Sequence, residues 1–269
     1  MVPEAMVPES ARYDGLSSDE LAHRFALPRV DAYAVVPSTM DLAHVAAQAG
    51  APAGTLILAD RQSAGRGRNG RRWASAAGAG LWLTVIERPS DPSALDVLSL
   101  RLGLRIARVL DRYMDAPVRL KWPNDLFAAG GGKLAGILVE ARWHDERPAW
   151  VAVGVGINVR LPADVPDSAA VRPNTSRVEL LSELMPALRA AAASRGVLTE
   201  SEMTEYGARD LARGQPCREP AVGTVVGITA SGELLVRSGG AVGAYRSGSL
   251  VIATPPTAGG ASAAESRSL

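Results

Sequence analysis

Only one cysteine, Cys217, occurs in 269 residues. No internal disulfide is therefore available, and a reducing cytoplasm is the expected setting. Histidine is almost as scarce: His23, His44 and His144 are too scattered for a metal site by spacing. Neither sign of charge is in excess, since 29 Lys and Arg face 28 Asp and Glu. That balance leaves no global field to gather a polyanion such as DNA, so any anion has to be bound locally. No apolar run reaches the ~18 residues a membrane span needs, and the opening MVPEAMVPES has neither the basic nor the apolar region of a targeting signal. Aromatics are only 4% of the chain, with two Phe, which leaves the packing to Ala, Val and Leu.

The length suits one large domain or a medium one with a small companion. The sequence divides into an N-terminal extension (1–29), an α/β body (30–212), a small β-barrel (213–254) and a disordered tail (255–269). In the extension, LSSDELAHRFAL forms a short helix with Ser17 and Glu20 spaced as a capping box. DAYAVV, TLILAD and GLWLTVIE read as strands. PSTMDLAHVAAQAG reads as a helix capped by Ser38 or Thr39 and ended by Gly50. Asp91 and Pro92 open a helix to about Tyr113. VRLKWPNDLFA and KLAGILVEARW make two paired strands joined by glycines, and WVAVGVGINV adds a third. TSRVELLSELMPALRAAAAS is helical, but Pro186 is expected to kink it or split it in two. SEMTEYGARDLA is one more short helix. From about Gly214 short strands alternate with SG and GG turns, as in a separate barrel.

Residues 61–73, RQSAGRGRNGRRW, concentrate five arginines and three glycines with no carboxylate. The plain alternative is a solvated basic turn. The glycines point elsewhere: Gly65, Gly67 and Gly70 permit positive φ and a nest of N–H groups, while the guanidiniums supply bidentate donors for phosphate or carboxylate. No Walker pattern is present. Trp73 at the segment's end is either core or a stacking surface for a base. Asn124 and Asp125 in KWPNDL fit a tight turn. Lys133 follows a triple glycine and opens an apolar strand, where an ammonium can neutralise charge on a transferring phosphoryl or acyl-phosphate group. Asn158 is a strand amide that must find a backbone or ligand partner.

The order STM (38–40), Gln62, GRGRNGRRW (65–73), KWPND (121–125), GKLAGILVE (132–140) and GVGIN (154–158) resembles the biotin–protein ligases, the biotin–[acetyl-CoA-carboxylase] ligases. The likeness spans roughly residues 30 to 253. It implies a mixed sheet with helices, as in class II synthetase-like biotin and lipoate ligases, followed by an SH3-like barrel. It also implies MgATP-dependent formation of biotinyl-5′-AMP and transfer of biotin to a lysine of a biotin carboxyl carrier domain. The cofactors implied are ATP and Mg²⁺, with biotin as substrate.

By the same resemblance, Ser38, Thr39, Met40 and Gln62 line the biotin pocket. Arg66, Gly67 and Arg68 close over the biotin carboxylate and the adenylate phosphate. Arg71, Trp73, Asn124 and Asn158 contact the nucleotide, and Lys133, Arg68 and Asp125 form the catalytic group. Met40 stands where the family usually has Asn, which removes any amide role there and leaves a backbone contact. With organised sequence beginning near Val30, a short-type ligase without a DNA-binding module is expected, monomeric or homodimeric, with no DNA or membrane partner. The rivals are a lipoate–protein ligase or octanoyltransferase and a non-catalytic binding module. Cys217, near the domain boundary, is poorly placed as an acyl-transfer nucleophile.

Overall fold

The computed structural model describes residues 11–89 and 91–253. The first ten residues of the N-terminal extension and the tail at 255–269 lie outside the described residues.

Helix α1 (Ser18–Phe25) carries the expected capping box in both directions, Ser17 Oγ accepting from the Glu20 N–H and Glu20 accepting from the Ser17 N–H. Next come β1 (Arg29–Val36), α2 (Thr39–Gln48), β2 (Thr55–Gln62) and β3 (Gly80–Glu87). Ser38 is the α2 cap, its hydroxyl accepting from the Met40 N–H. α3 (Leu95–Leu110) is entered through a 3-10 turn capped by Asp91. β4 (Arg119–Lys121), β5 (Asp125–Phe127), β6 (Lys133–His144) and β7 (Arg147–Asn158) complete a seven-stranded sheet in the order β1-β2-β3-β7-β6-β5-β4. Only the β1–β2 pair is parallel.

The strand expected over VRLKWPNDLFA is instead a tight hairpin, β4 turning into β5. Pro123 has no N–H to give to a ladder, so pairing stops there and resumes at Asp125.

Side-chain alternation splits the core into two layers. Leu56, Leu58 and Val85 point into the larger one, shared with α3 and with α4 (Arg177–Ala192). Ile57, Ile86 and Ala152 point the other way, under Met40, Ala43 and Ala47 of α2. Coverage on both faces explains why GLWLTVIE is buried at every position.

Pro186 does not split the segment in two: α4 is a single helix through it. Pro186 sits on the exposed side, while Leu180, Leu181, Leu184, Met185 and Leu188 are at most 2% exposed on the other. Burial of five large side chains, each worth about 2 kcal/mol, outweighs one lost backbone bond.

After α5 (Glu200–Arg209), strands β8 (Pro216–Glu219), β9 (Gly223–Ile228), β10 (Leu234–Ser238), β11 (Ala241–Tyr245) and β12 (Val251–Ile252) form a five-stranded antiparallel sheet. This second sheet matches the expected SH3-like unit, yet its core is not separate. Cys217, Val225, Ile228, Leu234 and Val236 belong to the same buried cluster as α3 and α4. Among the described residues no helix is long and apolar enough to cross a membrane.

Candidate active site

A cleft opens on the α2 side of the large sheet. Its inner end has a polar floor. Gln62, at the end of β2, accepts from the Thr39 N–H (2.8 Å) and the Thr39 hydroxyl (3.2 Å) through Oε1. Only an oxygen can accept from that N–H, so the amide orientation is fixed, and Nε2 donates to Ser75 Oγ at 2.9 Å. Thr39 Oγ1 also meets Thr84 Oγ1 at 2.9 Å. Met40 and Leu138 add apolar side chains to its wall, and Leu83, Ile137 and Val155, whose side chains point into the opposite core layer, border it with backbone.

The mouth is cationic. Arg66, Arg68, Arg71, Arg72, Lys121 and Lys133 all line it, against one carboxylate, Asp125. Lys133 Nζ lies 2.7 Å from Asp125 Oδ1 and 5.1 Å from the Trp73 ring centroid. Burial pushes the Lys121 ammonium below its ordinary value, opposed by Asp125 and reinforced by Lys133 and Arg71. Burial likewise lowers the Arg68 guanidinium, with Asp125 opposing. A cluster with more cations than carboxylates has its charge satisfied by an anionic ligand.

The arginine segment is held by short-range backbone bonds, Gly67 N–H to Arg71 O (2.8 Å) and Trp73 N–H to Gly65 O (2.9 Å). The expected nest is only partly realised. Of its glycines, Gly70 alone has positive φ, at +71°, beside Asn69 at +56°. Gly65 is required for another reason: a Cβ there would lie 2.5 Å from Trp73 O. With the Gly67 N–H engaged inside the loop, the guanidiniums supply most of its anion-binding capacity.

Ser38, Thr39, Met40, Gln62, Arg66, Gly67, Arg68, Arg71, Trp73, Asn124, Asp125 and Lys133 all line this one cleft. Asn158 does not. It is buried, and its Nδ2 donates to Lys133 O (3.1 Å) and Ala169 O (3.0 Å). Through these two bonds the amide braces the backbone at the base of Lys133. Asn124 also braces, donating to Ile137 O at 2.6 Å while its Oδ1 faces Arg68 Nη1 at 3.4 Å.

Four participants escaped the sequence reading. Lys121 was hidden within KWPND, although a lysine ending a strand next to Pro is a visible signal. Thr84 is the lone hydroxyl in an apolar strand. Gly136 and Gly156 pair across β6 and β7, and a Cβ on them would come within 2.9 and 2.5 Å of the Trp73 indole. Glycine inside a strand marks such close approach. Cys217 is buried, bonded to Ala221 O, and does not line the cleft.

The model of the "Biotin/lipoate A/B protein ligase family" matches residues 32–158. A biotin–[acetyl-CoA-carboxylase] ligase of Mycobacterium tuberculosis is 33% identical over 217 residues, 74% of this chain and 79% of that one. The bifunctional ligase/repressor BirA of Bacillus subtilis is 39% identical over 135 residues, 49% of this chain and 41% of that one. The match thus spans less than half the length of that relative. A solved structure, biotin protein ligase from Aquifex aeolicus in complex with biotin and ATP, superposes with a TM-score of 0.70 at 25% identity, covering 84% of this chain and 99% of that one.

Proposed function

The chain belongs to the biotin/lipoate A/B protein ligase family, and from that premise we infer that it is a cytoplasmic biotin–protein ligase. It condenses biotin with ATP and passes the biotinyl group to a lysine of a biotin carboxyl carrier domain, as in biotin-dependent carboxylases. One observation carries the reading: a pocket with a polar floor opens directly into a mouth lined by six cationic side chains and the single carboxylate Asp125. Two anions, a carboxylate and a triphosphate, have to meet for adenylation, and that mouth is built to hold both.

Thr39, Ser38 and Gln62 present hydroxyl and amide groups to the ureido ring, with Thr84 beneath them. Met40 contributes its apolar side chain and no amide. A biotin carboxylate oxygen attacks the α-phosphorus, and pyrophosphate leaves. Arg68 and Lys133 stabilise the charge of the pentavalent transition state. Arg71, Lys121 and Asn124 take the remaining phosphate oxygens, and Trp73 offers a face to the adenine. A magnesium ion accompanying ATP would be held by Asp125, the one carboxylate of the cleft, together with phosphate oxygens, and would neutralise phosphate charge there. Asp125, paired to Lys133, also faces the place where the carrier lysine amine attacks the acyl carbon as AMP leaves. Residues 30–212 make the catalytic domain, and 213–254 the SH3-like unit that lends Ser249 and Leu250 to the cleft wall.

The test is pyrophosphate release from MgATP with biotin, lipoate or octanoate, in the presence of a carrier domain. Release with biotin and label on the carrier lysine is expected. Release with lipoate alone reassigns the substrate, and no release with any acid leaves a binding module.

A further inference from the structure

We propose that Glu140, oriented by His44, is a positioning residue for the arginine loop and acts through the Arg66 guanidinium. Arg66 is not a free cation like Arg68. Its Nη2 donates to Glu140 Oε1 at 2.6 Å and its Nη1 to Asp41 Oδ1 at 2.7 Å. Two carboxylates therefore neutralise it before any ligand arrives, and it serves as the loop's anchor.

The anchor has a second stage. The Trp150 Nε1–H can only donate, and it points at His44 Nδ1 at 3.0 Å. That leaves Nδ1 as acceptor and the ring proton on Nε2, which donates to Glu140 Oε2 at 2.9 Å. Both Glu140 oxygens are thus assigned, one to the imidazole and one to Arg66. His44 and Glu140 side chains are 13% and 18% exposed, against 54% for Asp41. The shielded half of the anchor is the one that water screens least. Arg142 Nη2 stands 4.0 Å from Glu140 and does not replace either bond.

The placement of the relay joins three walls of the cleft. α2 carries Thr39 and Met40 at its start and His44 one turn on. β6 carries Lys133 at one end and Gly136, Leu138 and Glu140 on one face. Arg66 lies two residues before Arg68, whose guanidinium reaches Asn124 Oδ1 and Gly248 O on the opposite wall. Fixing Arg66 from one side is what lets Arg68 span the cleft from the other. Trp150 packs its ring against the core beneath α2, while the charged ends of the relay, Glu140 and Arg66, lead to the arginine loop.

This inference rests on the ligase reading for its consequence and on the ligand-free protein for its first readout. In the ligand-free full-length protein, Glu140→Ala and His44→Ala are expected to speed amide hydrogen exchange across residues 65–72 and leave β3 and β7 unchanged. Dissociation of biotinyl-adenylate is expected to quicken about tenfold in Glu140→Ala, the loss of one charge-assisted bond. His44→Gln, which keeps a donor toward Glu140, is expected to restore most of the parent behaviour. Unchanged exchange in the loop overturns the proposal. So does faster exchange throughout the sheet, which marks a merely structural role, and so does a His44→Gln variant no better than His44→Ala. Pyrophosphate release by the parent with biotin and MgATP tests the ligase reading separately, because loop exchange is measured whether or not that release occurs.

Discussion

Glycine shapes the cleft at the scale of single residues. Trp73 lies against Gly136 and Gly156, where no side chain intervenes, and its Nε1 is buried without a partner among the described residues. Gly156→Ala would put a methyl 2.5 Å from that nitrogen and force the indole off the sheet, whereas Gly154→Ala meets the flexible end of Met40 at 2.7 Å and the Leu138 carbonyl at 3.3 Å, away from the indole. We expect Gly156→Ala to raise the KM for ATP roughly tenfold, the worth of one lost stacking contact. Gly154→Ala should change it far less, and equal effects from the two in steady-state kinetics would refute the stacking role. Lys121 gives a second prediction. Because burial lowers its proton affinity, the ammonium discharges at a lower pH than an ordinary lysine, and phosphate binding weakens as pH rises through that point. The KM for ATP should therefore climb on the alkaline side, while Lys121→Arg, permanently charged, should flatten the climb. A KM profile identical in the two proteins would remove Lys121 from the phosphate site.

Helix α4 decides an energetic contest at the scale of elements. Pro186 cannot donate to the carbonyl one turn back, a loss large enough to end most helices, yet the buried leucine face keeps α4 whole. Pro186→Ala returns that bond on the exposed side and gives back some unfolded-state freedom. The net gain should be about 2 kcal/mol, read as a higher denaturant midpoint at constant slope. No gain would mean that the helix has already adjusted around the ring. The same contest explains what was legible beforehand. Periodicity and caps identify α1, α2, α3, β2 and β3 because those elements follow local rules. The fate of α4 depended on burial against α3, and the β4–β5 hairpin on where pairing resumed after Pro123. Neither quantity is local to the sequence.

The whole molecule joins its two sheets more closely than the change of texture near Gly214 suggested. Trp122 of the KWPND turn donates its indole N–H to Gly232 O at 3.0 Å, a buried bond from the large sheet to the small one. Leu198 N–H reaches Ala230 O at 2.9 Å, and Arg71 Nη2 reaches Ser249 Oγ at 3.3 Å. Motif order could place Arg68, Asp125 and Lys133 in one site, since their pattern is specific. Nothing in it gave the span from Arg68 to Gly248, 180 residues apart, or the Arg66–Glu140 contact across 74. Such distances are products of packing. The consequence is thermodynamic: if one buried cluster runs from α3 and α4 into β9 and β10, removing the small sheet exposes apolar surface on the large one, and neither unit keeps its own stability. Calorimetry should therefore record one transition, with calorimetric and van't Hoff enthalpies in agreement. Trp122→Phe, which keeps an aromatic side chain but removes the indole N–H and part of the buried ring, should lower that transition without dividing it, at a cost of about 1–3 kcal/mol for the orphaned Gly232 O and more for the cavity. Two resolved transitions in the parent protein would mean that the small sheet folds alone. The contacts at Gly232 and Gly248 would then be docking contacts between independent units, and the cleft wall that includes Ser249 could open without unfolding either one.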